Sequence, residues 1–123
     1  MAVLTKDFAA SRGDDLALAD DNGERTWAEL DERVNRLIHS LRAAGIGAGD
    51  TISVINGNNN EWFEVAFACD NAGITFVPVN WHWTADELAY VIEDAGCRVL
   101  IVDERFGAVA TAALADPRAG SID

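Results

Sequence analysis

The dipeptide Ala-Gly recurs where a helical pattern of apolar residues gives way to a short apolar run, at 44–45, 72–73 and 95–96. Glycine adopts the left-handed conformation that ends many helices more readily than any other residue. The apolar runs that follow span Thr51–Ile55, Thr75–Val79 and Arg98–Val102, without alternation of polar residues. Such runs are typical of strands buried on both faces. Helices alternating with them predict an α/β fold, with a parallel-type sheet covered by helices and right-handed crossovers.

The N-terminal part of the chain has a different pattern. Residues 3–11 predict a short helix with Val3, Leu4 and Phe8 facing inward. Two short runs, 16–19 and 24–27, then flank the acidic turn Asp20-Asp21-Asn22-Gly23. Because Asn and Gly both tolerate positive φ, this pattern predicts an N-terminal β-hairpin. With 123 residues, we expect one subdomain, in which residues 1–27 form the N-terminal segment and hairpin and residues 28–123 form alternating helix and strand units.

Four further helices are predicted from caps and apolar spacing. Thr26 and Thr84 are each followed three residues later by a glutamate, at Glu29 and Glu87, which is the pattern of a capping box. The expected buried faces are Leu30, Val34, Leu37, Ile38 and Leu41 in the first helix, Trp62, Val65, Ala66 and Cys69 in the second, and Leu88, Val91 and Ile92 in the third. The last helix is expected from Glu104 to Ala115, before Pro117.

Charge and composition exclude several classes of function. The formal net charge is −12, with a single lysine at position 6. Nucleic-acid binding needs a basic face, so a nucleic-acid partner is not expected. No stretch approaches 18 consecutive apolar residues, so we expect no membrane span. The N-terminus is a poor signal peptide, and Cys69 and Cys97 are expected to be buried free thiols, which together favour a cytoplasmic protein.

The chain contains none of the common self-contained catalytic motifs. It has no G-x-x-x-x-G-K-[ST] phosphate loop, no G-x-S-x-G nucleophile elbow, no H-E-x-x-H and no paired-cysteine zinc site. The G-x-G-x-G of residues 45–49 lies between a helix and a strand, whereas a dinucleotide loop lies between a strand and a helix. We therefore predict no catalytic residue and no metal ligand within this chain.

One loop is the best candidate for ligand contact. Asn80 to Trp83 follows the predicted strand that ends near Pro78, a residue with no N–H for a sheet ladder. In an open α/β sheet, ligands bind outside the carboxyl ends of the strands. Asn80, His82 and Trp83 are therefore the candidate ligand-contacting residues.

An ordered series of segments resembles the start of the adenylate-forming acyl-CoA synthetases. The segments are RTWAEL (25–30), VNRL (34–37), AGIGAGDTISV (44–54), FACDNAG (67–73) and VPVNWHWTADEL (77–88). The Asn-Trp-His piece is most similar to the fatty-acyl branch. The resemblance implies a two-step ligase in which a carboxylate attacks ATP to give an acyl-adenylate, and the thiol of CoA then displaces AMP. It also implies Mg²⁺, a lysine-containing phosphate loop, an acidic nucleotide-binding motif and a C-terminal catalytic lysine, all downstream of the matched region.

On this resemblance the chain is a partial lobe of a larger domain. It is expected to bind no cofactor alone and to be inactive alone, with ATP, Mg²⁺ and CoA serving the complete enzyme. His82 stands where CoA-ligase relatives often carry an arginine that approaches the CoA nucleotide phosphate. The expected partner is the remainder of the synthetase or a complementary chain, and unpaired sheet edges favour self-association. The alternative is a non-catalytic protein-interaction module or a split-enzyme subunit.

Overall fold

The computed structural model describes residues 3–120 and residue 122. The helices are α1 (Leu4–Arg12), α2 (Trp27–Ala43), α3 (Asn60–Ala72), α4 (Ala85–Ala95) and α5 (Gly107–Leu114). The strands are β1 (Leu16–Asp20), β2 (Gly23–Thr26), β3 (Thr51–Ile55), β4 (Thr75–Pro78) and β5 (Val99–Val102). Short 3₁₀ helices span Glu104–Phe106 and Pro117–Ala119. The elements fall into two units, the first comprising residues 1–47 and 58–73, the second residues 48–57 and 74–123.

The first unit is built around the buried face of α2. Leu30, Val34 and Ile38 pack with Ala68 of α3, and Leu41 is also buried, as predicted. The capping box is present: the Thr26 hydroxyl accepts the N–H of Glu29, and the Glu29 carboxylate accepts the N–H of Thr26. Local sequence thus sets where this helix begins, and its apolar stripe sets which face is buried.

Helix α1 is present, but its inward face differs from the prediction. Leu4 is 42% exposed, whereas Thr5 is completely buried. The Thr5 hydroxyl donates to Asp31 Oδ1 at 2.8 Å and accepts from Asn71 Nδ2 at 3.0 Å. Thr5 can be buried because its hydroxyl has hydrogen-bond partners. Thr5 rather than Leu4 therefore occupies the inward-facing position of α1. Phe8 is half-buried, with its ring centroid 4.6 Å from that of Trp27.

The hairpin is confirmed, with a different turn from the one expected. Strands β1 and β2 are antiparallel, and Asp20 pairs with Gly23. Gly23 has φ +144°, but no described non-glycine residue, Asn22 included, has positive φ. The Asn22 N–H instead donates to Asp20 Oδ1 at 2.8 Å, so an aspartate side chain shapes the turn. Strand β2 ends at Thr26, and Trp27, expected in the strand, begins α2.

Helix α3 buries a residue that the sequence pattern did not indicate. Val65 and Cys69 are buried as expected, whereas Trp62 and Ala66 are only half-buried. Glu64 is 7% exposed. Its carboxylate pairs with Arg33 and lies 3.7 Å from Arg25 Nε. Two guanidinium groups compensate the burial of this carboxylate.

The second unit contains the predicted parallel sheet, with strand order β4-β3-β5. Ile52 is paired with Phe76 of β4 and with Val99 of β5. Strand β4 ends at Pro78, as predicted, although the N–H of Val79 still donates to the Val54 carbonyl at 2.8 Å. The core of this unit is formed by β3, β5, α4, α5 and neighbouring segments; its buried members are Ile55, Val79, Leu88, Ala89, Ile92, Cys97, Leu100, Ala110, Ala113 and Ala119.

The helix ends of both units follow the Ala-Gly pattern. Gly45, Gly73 and Gly96 have φ of +80°, +71° and +62°, the left-handed conformation that ends a helix. In α4 the buried residues are Leu88, Ala89 and Ile92, and Val91, which was expected in the core, is half-buried.

The last predicted helix is two elements. A 3₁₀ turn at Glu104–Phe106 precedes α5, because the Asp103 side chain caps the Arg105 N–H at 3.0 Å and starts a separate turn. No helix among the described residues is long and apolar enough to cross a membrane.

Candidate functional site

The carboxyl ends of the three parallel strands lie at one edge of the sheet of the second unit. They lead into residues 56–57 after β3, residues 79–84 after β4 and residues 103–106 after β5. This is the edge at which ligands bind in open α/β sheets. The predicted residues Asn80, His82 and Trp83 all lie in the loop after β4.

Asn80 shapes this loop. Its Oδ1 accepts the N–H of His82 at 3.0 Å, and its backbone carbonyl accepts the N–H of Trp83 at 3.0 Å. The loop then ends in the predicted capping box, in which Thr84 Oγ1 accepts the N–H of Glu87 and Glu87 Oε2 accepts the N–H of Thr84 at 2.7 Å. The turn is therefore closed by local hydrogen bonds, which hold the backbone that carries His82.

His82 belongs to a row of planar groups drawn from two loops. Its ring is stacked on that of Trp81, with centroids 3.5 Å apart and planes at 30°. The Trp81 ring lies 5.8 Å from that of Phe106, and the Arg105 guanidinium lies over Phe106, 5.3 Å from its centroid. We call His82, Trp81, Phe106 and Arg105 the stacked row. His82 is exposed and Trp81 is 49% exposed, so the row is accessible to a ligand.

Trp83 lies against a different surface. It is half-buried and packs on the core of the second unit. It also lines an open groove of about 390 Å³ together with Asp86, Glu87, Tyr90, Val91 and Arg118. Of the three predicted residues, Asn80 shapes the loop, His82 belongs to the stacked row and Trp83 lines this groove.

Arg105 was not among the predicted residues. It forms a forked ion pair with Asp103, with Nε and Nη2 lying 3.0 and 2.6 Å from Oδ2. Hydrogen bonds from the guanidinium and then from the Arg105 N–H lower the pKa of Asp103. Gly57, in the segment after β3, lies against the same guanidinium, and a Cβ at this position would overlap it. The sequence feature that could have indicated Arg105 is the pattern Asp-x-Arg directly after an apolar strand.

The same Asp-x-Arg arrangement recurs at the second 3₁₀ helix. Arg118 Nη2 lies 2.8 Å from Asp116 Oδ2 and 2.5 Å from Asp86 Oδ1. The side-chain hydrogen bond from Arg118 lowers the pKa of Asp116 to about 2. Arg118 therefore forms ion pairs with two carboxylates, whereas Arg105 forms an ion pair with one.

In the part of the chain that the structure describes, the two cysteines do not form a reactive site. Cys69 and Cys97 are buried free thiols, as predicted, and burial raises the pKa of both, to about 11 for Cys69. The Sγ of Cys97 lies 2.7 Å from Ser53 Oγ. Thiols in this state are poor nucleophiles. Residues 3–120 and 122 contain no group of three or more His, Cys, Asp or Glu side chains placed to hold a metal ion.

Comparison with protein families and curated proteins gives one consistent result. The model of the AMP-binding enzyme family matches residues 5–121. A feruloyl-CoA synthase from Amycolatopsis sp is 39% identical over 102 residues, which cover 80% of this chain and 21% of that protein. The fatty acid–[acyl-carrier-protein] ligase ScoC from Streptomyces coeruleorubidus is 36% identical over 84 residues, covering 68% of this chain and 16% of that protein.

The solved structures agree on the fold. The fatty acyl CoA synthetase of Mycobacterium tuberculosis superposes with a TM-score of 0.91 at 23% identity, covering 97% of this chain and 24% of that one. The α/β fold with a parallel sheet and an antiparallel N-terminal hairpin is thus found within a larger enzyme. The matched segments span only 16% and 21% of the length of these two curated relatives.

Proposed function

Because this chain belongs to the family of AMP-binding enzymes, we propose that it is the N-terminal part of an ATP-dependent acyl-CoA synthetase. The reaction would be activation of a carboxylate by ATP to an acyl-adenylate, followed by thioester formation with CoA, with a fatty acid as the substrate class. We also propose that the 123 residues act as one N-terminal subdomain of the large domain of that enzyme. The match of the family model to residues 5–121 carries the proposal.

This chain would supply a scaffold and one ligand-contacting edge. The first step needs cations at the phosphates of ATP, and the family resemblance implies that a lysine-containing phosphate loop supplies one of them. The given sequence contains no such loop, and its single lysine, Lys6, lies in α1. The described residues offer no cluster of carboxylates for Mg²⁺. We therefore propose that the nucleotide-binding and catalytic groups come from outside this chain and that the chain alone is inactive and binds neither ATP nor Mg²⁺ in a productive way.

The proposed CoA-facing residues are Asn80, His82 and Trp83. Asn80 holds the turn through the N–H of His82, and His82 is exposed beside the stacked Trp81 ring. An imidazole is a weaker phosphate partner than a guanidinium. Replacing His82 by Ala in the assembled enzyme should therefore raise the KM for CoA with little change in kcat. An unchanged KM for CoA would contradict the proposal that His82 contacts CoA.

A second candidate function is a non-catalytic interaction module or split-enzyme subunit. Among the described residues, β4 and β5 each pair only with β3, so each has one edge without a strand partner. The sequence of β5 is Val-Leu-Ile-Val, with no charge and no proline, and such edges favour pairing with another chain. Both candidates therefore include a protein partner, either a complementary chain or a second copy, and we propose the cytoplasm as the compartment.

The test is to identify what accompanies the chain. Size-exclusion chromatography with light scattering gives the mass of the assembly, and mass spectrometry identifies any chain that co-purifies from the native host. A partner with a lysine-containing phosphate loop should give carboxylate-dependent ATP–pyrophosphate exchange that this chain lacks alone. Exchange absent from that assembly with any fatty or aromatic acid would contradict the synthetase proposal. A monodisperse monomer at high concentration would contradict the pairing proposal.

A further inference from the structure

The sequence contains two Asn-Gly dipeptides, Asn22-Gly23 and Asn56-Gly57. We propose that Asn56 is a site of spontaneous deamidation in the folded chain, and that the fold protects Asn22 from the same reaction. A glycine after the asparagine makes this reaction easiest because, without a Cβ, its backbone adopts conformations that other residues avoid. The inference concerns a covalent modification of the carboxyl edge of the sheet and is independent of the proposed function.

The reaction is an intramolecular substitution at the side chain of asparagine. The backbone nitrogen of the following glycine loses its proton and attacks the side-chain carbon Cγ, which forms an N–Cγ bond. The Cγ–Nδ2 bond then breaks, and the leaving amide group takes up the proton to become ammonia. Water opens the resulting cyclic succinimide at either carbonyl carbon and gives aspartate or isoaspartate. Water is therefore the only co-reactant that the modification needs.

At Asn56 the two reacting groups already lie side by side. The N–H of Gly57 donates to Asn56 Oδ1 at 2.8 Å. Because Cγ is bonded to that oxygen, the carbon that is attacked lies next to the attacking nitrogen. Reactions are strongly accelerated when the reacting atoms are held close together. Asn56 is only half-buried, so water can reach the succinimide and open it.

The Arg105 guanidinium is a second feature that favours the reaction at Asn56. It lies against Gly57, where a Cβ would overlap its Nη2. The attack places negative charge first on the glycine nitrogen and then on Asn56 Oδ1, and a nearby cation stabilises such charge. Asp103 pairs with the same guanidinium and weakens this effect. We therefore expect Arg105 to change the deamidation rate several-fold rather than by orders of magnitude.

At Asn22 the corresponding backbone nitrogen is held by another group. Hydrogen bonds from the backbone N–H groups of Asn60, Asn22 and Gly23 lower the pKa of Asp20, so the Gly23 N–H is directed at the Asp20 carboxylate. A carboxylate in this position opposes loss of the Gly23 proton. Asp20 also pairs with Gly23 in the hairpin, which restrains the backbone of the turn. Deamidation of Asn22 should therefore be slow, although Asn22 is exposed.

Deamidation of Asn56 would change the segment after β3 in charge and in shape. Either product adds a carboxylate next to Gly57, the residue that lies against Arg105. In isoaspartate the backbone runs through the side-chain carbon, so the chain gains one methylene group before Gly57. The contact between Gly57 and the guanidinium would then have to move.

The test compares the two Asn-Gly sites within the same chain by peptide mapping and mass spectrometry. The folded 123-residue chain is incubated at neutral pH in water labelled with heavy oxygen, so that each deamidated residue takes up the label. Asn56 should deamidate roughly 10-fold faster than Asn22, which corresponds to ~1.4 kcal/mol between the two activation free energies. In urea the two rates should be similar, because the unfolded sites differ only in their neighbours.

Two outcomes of this comparison would overturn the proposal. The first is deamidation of Asn22 at the same rate as Asn56, or faster, in the folded chain. The second is a folded chain in which Asn56 stays intact over the time in which it deamidates in urea, because the fold would then protect Asn56 as well.

One pair of variants tests the contact at Asn56. Arg105→Gln should slow its deamidation several-fold. The matched control is Arg98→Gln, which removes an exposed arginine that pairs with Asp50 at the amino ends of the strands and should leave the rate unchanged. Circular dichroism checks that both variants are folded. Equal rates at Asn56 in the two variants would contradict the role of the guanidinium.

A second pair of variants tests the protection of Asn22. Asp20→Ala releases the Gly23 N–H and should raise the deamidation rate of Asn22 in the folded chain. Asp21→Ala removes the same charge next to Asn22 and is the matched control, with a smaller expected effect. Equal rates at Asn22 in the two folded variants would contradict protection by the Asp20 hydrogen bond.

Discussion

Thr5→Val tests whether one buried hydroxyl joins three helices of the first unit. Thr5 is completely buried, and it connects α1 to Asp31 of α2 and Asn71 of α3 at 2.8 and 3.0 Å. Valine has nearly the same shape but neither donates nor accepts. A neutral hydrogen bond contributes ~0.5–1.5 kcal/mol and one to a charged group ~1.5–3 kcal/mol. The extra buried methyl group offsets part of this, so we expect a net loss of about 2 kcal/mol.

Urea unfolding followed by far-ultraviolet circular dichroism measures this loss. For a slope of roughly 2 kcal/mol per molar urea, the midpoint should fall by about 1 M, with the slope unchanged. The matched control is Ser11→Ala in the same helix, which removes an exposed hydroxyl bonded to the Asp7 carbonyl at 2.8 Å. The control should change stability by less than ~0.5 kcal/mol. If Thr5→Val is as stable as the parent chain, the buried network does not hold α1 in place.

Three further predictions concern the second unit and the thiols. Thr84→Ala removes the cap of α4 and should cost about 1 kcal/mol in urea unfolding; no change would mean that packing alone sets this helix start. Arg118 lowers the pKa of Asp116 to about 2, so the stabilising effect of the ionised carboxylate is present above the pKa of the unfolded chain and is lost as pH falls from about 4 to about 2. The difference in the free energy of unfolding between Asp116→Asn and the parent chain should therefore shrink over this pH range. A constant difference would contradict the ion pair. Cys69 and Cys97 are buried, and burial raises the pKa of both thiols. A thiol reagent at pH 8 should therefore label them slowly in the folded chain and rapidly in urea. Fast labelling of the folded chain would contradict their burial.

Features set by nearby residues were predictable from the sequence. The capping boxes at Thr26 and Thr84 depend on residues three positions away, and both are present. Strand β3 spans Thr51–Ile55 as predicted, because a run of mainly β-branched residues between a glycine-rich turn and an asparagine-rich loop has few alternatives. The family resemblance drawn from ordered segments was likewise confirmed by the match to residues 5–121.

Features set by distant contacts were not predictable. Thr5 is buried because its partners lie 26 and 66 residues along the chain, and no periodicity in α1 indicates this. Glu64 is buried because Arg33, 31 residues away, lies against it. The stacked row likewise combines Trp81 with Phe106, which are adjacent only after the strands have paired. Helical spacing alone placed Leu4 in the core, where a hydrogen-bonded threonine lies instead.

Pro78 affects which edge of the parallel sheet can pair with a further strand. Thr75 donates its N–H group to the carbonyl of Asp50, the residue before β3, and Val79, the residue after β4, donates to the carbonyl of Val54 in β3. The backbone N–H groups of odd-numbered residues therefore point toward the central strand, and the backbone nitrogen of Pro78 points away from it. The missing N–H of proline therefore costs nothing in the existing ladder. A strand added beside β4 would meet a pyrrolidine ring where it needs a donor, whereas β5 contains no proline. Any further strand, from the same chain or another, should extend this sheet on the β5 side alone.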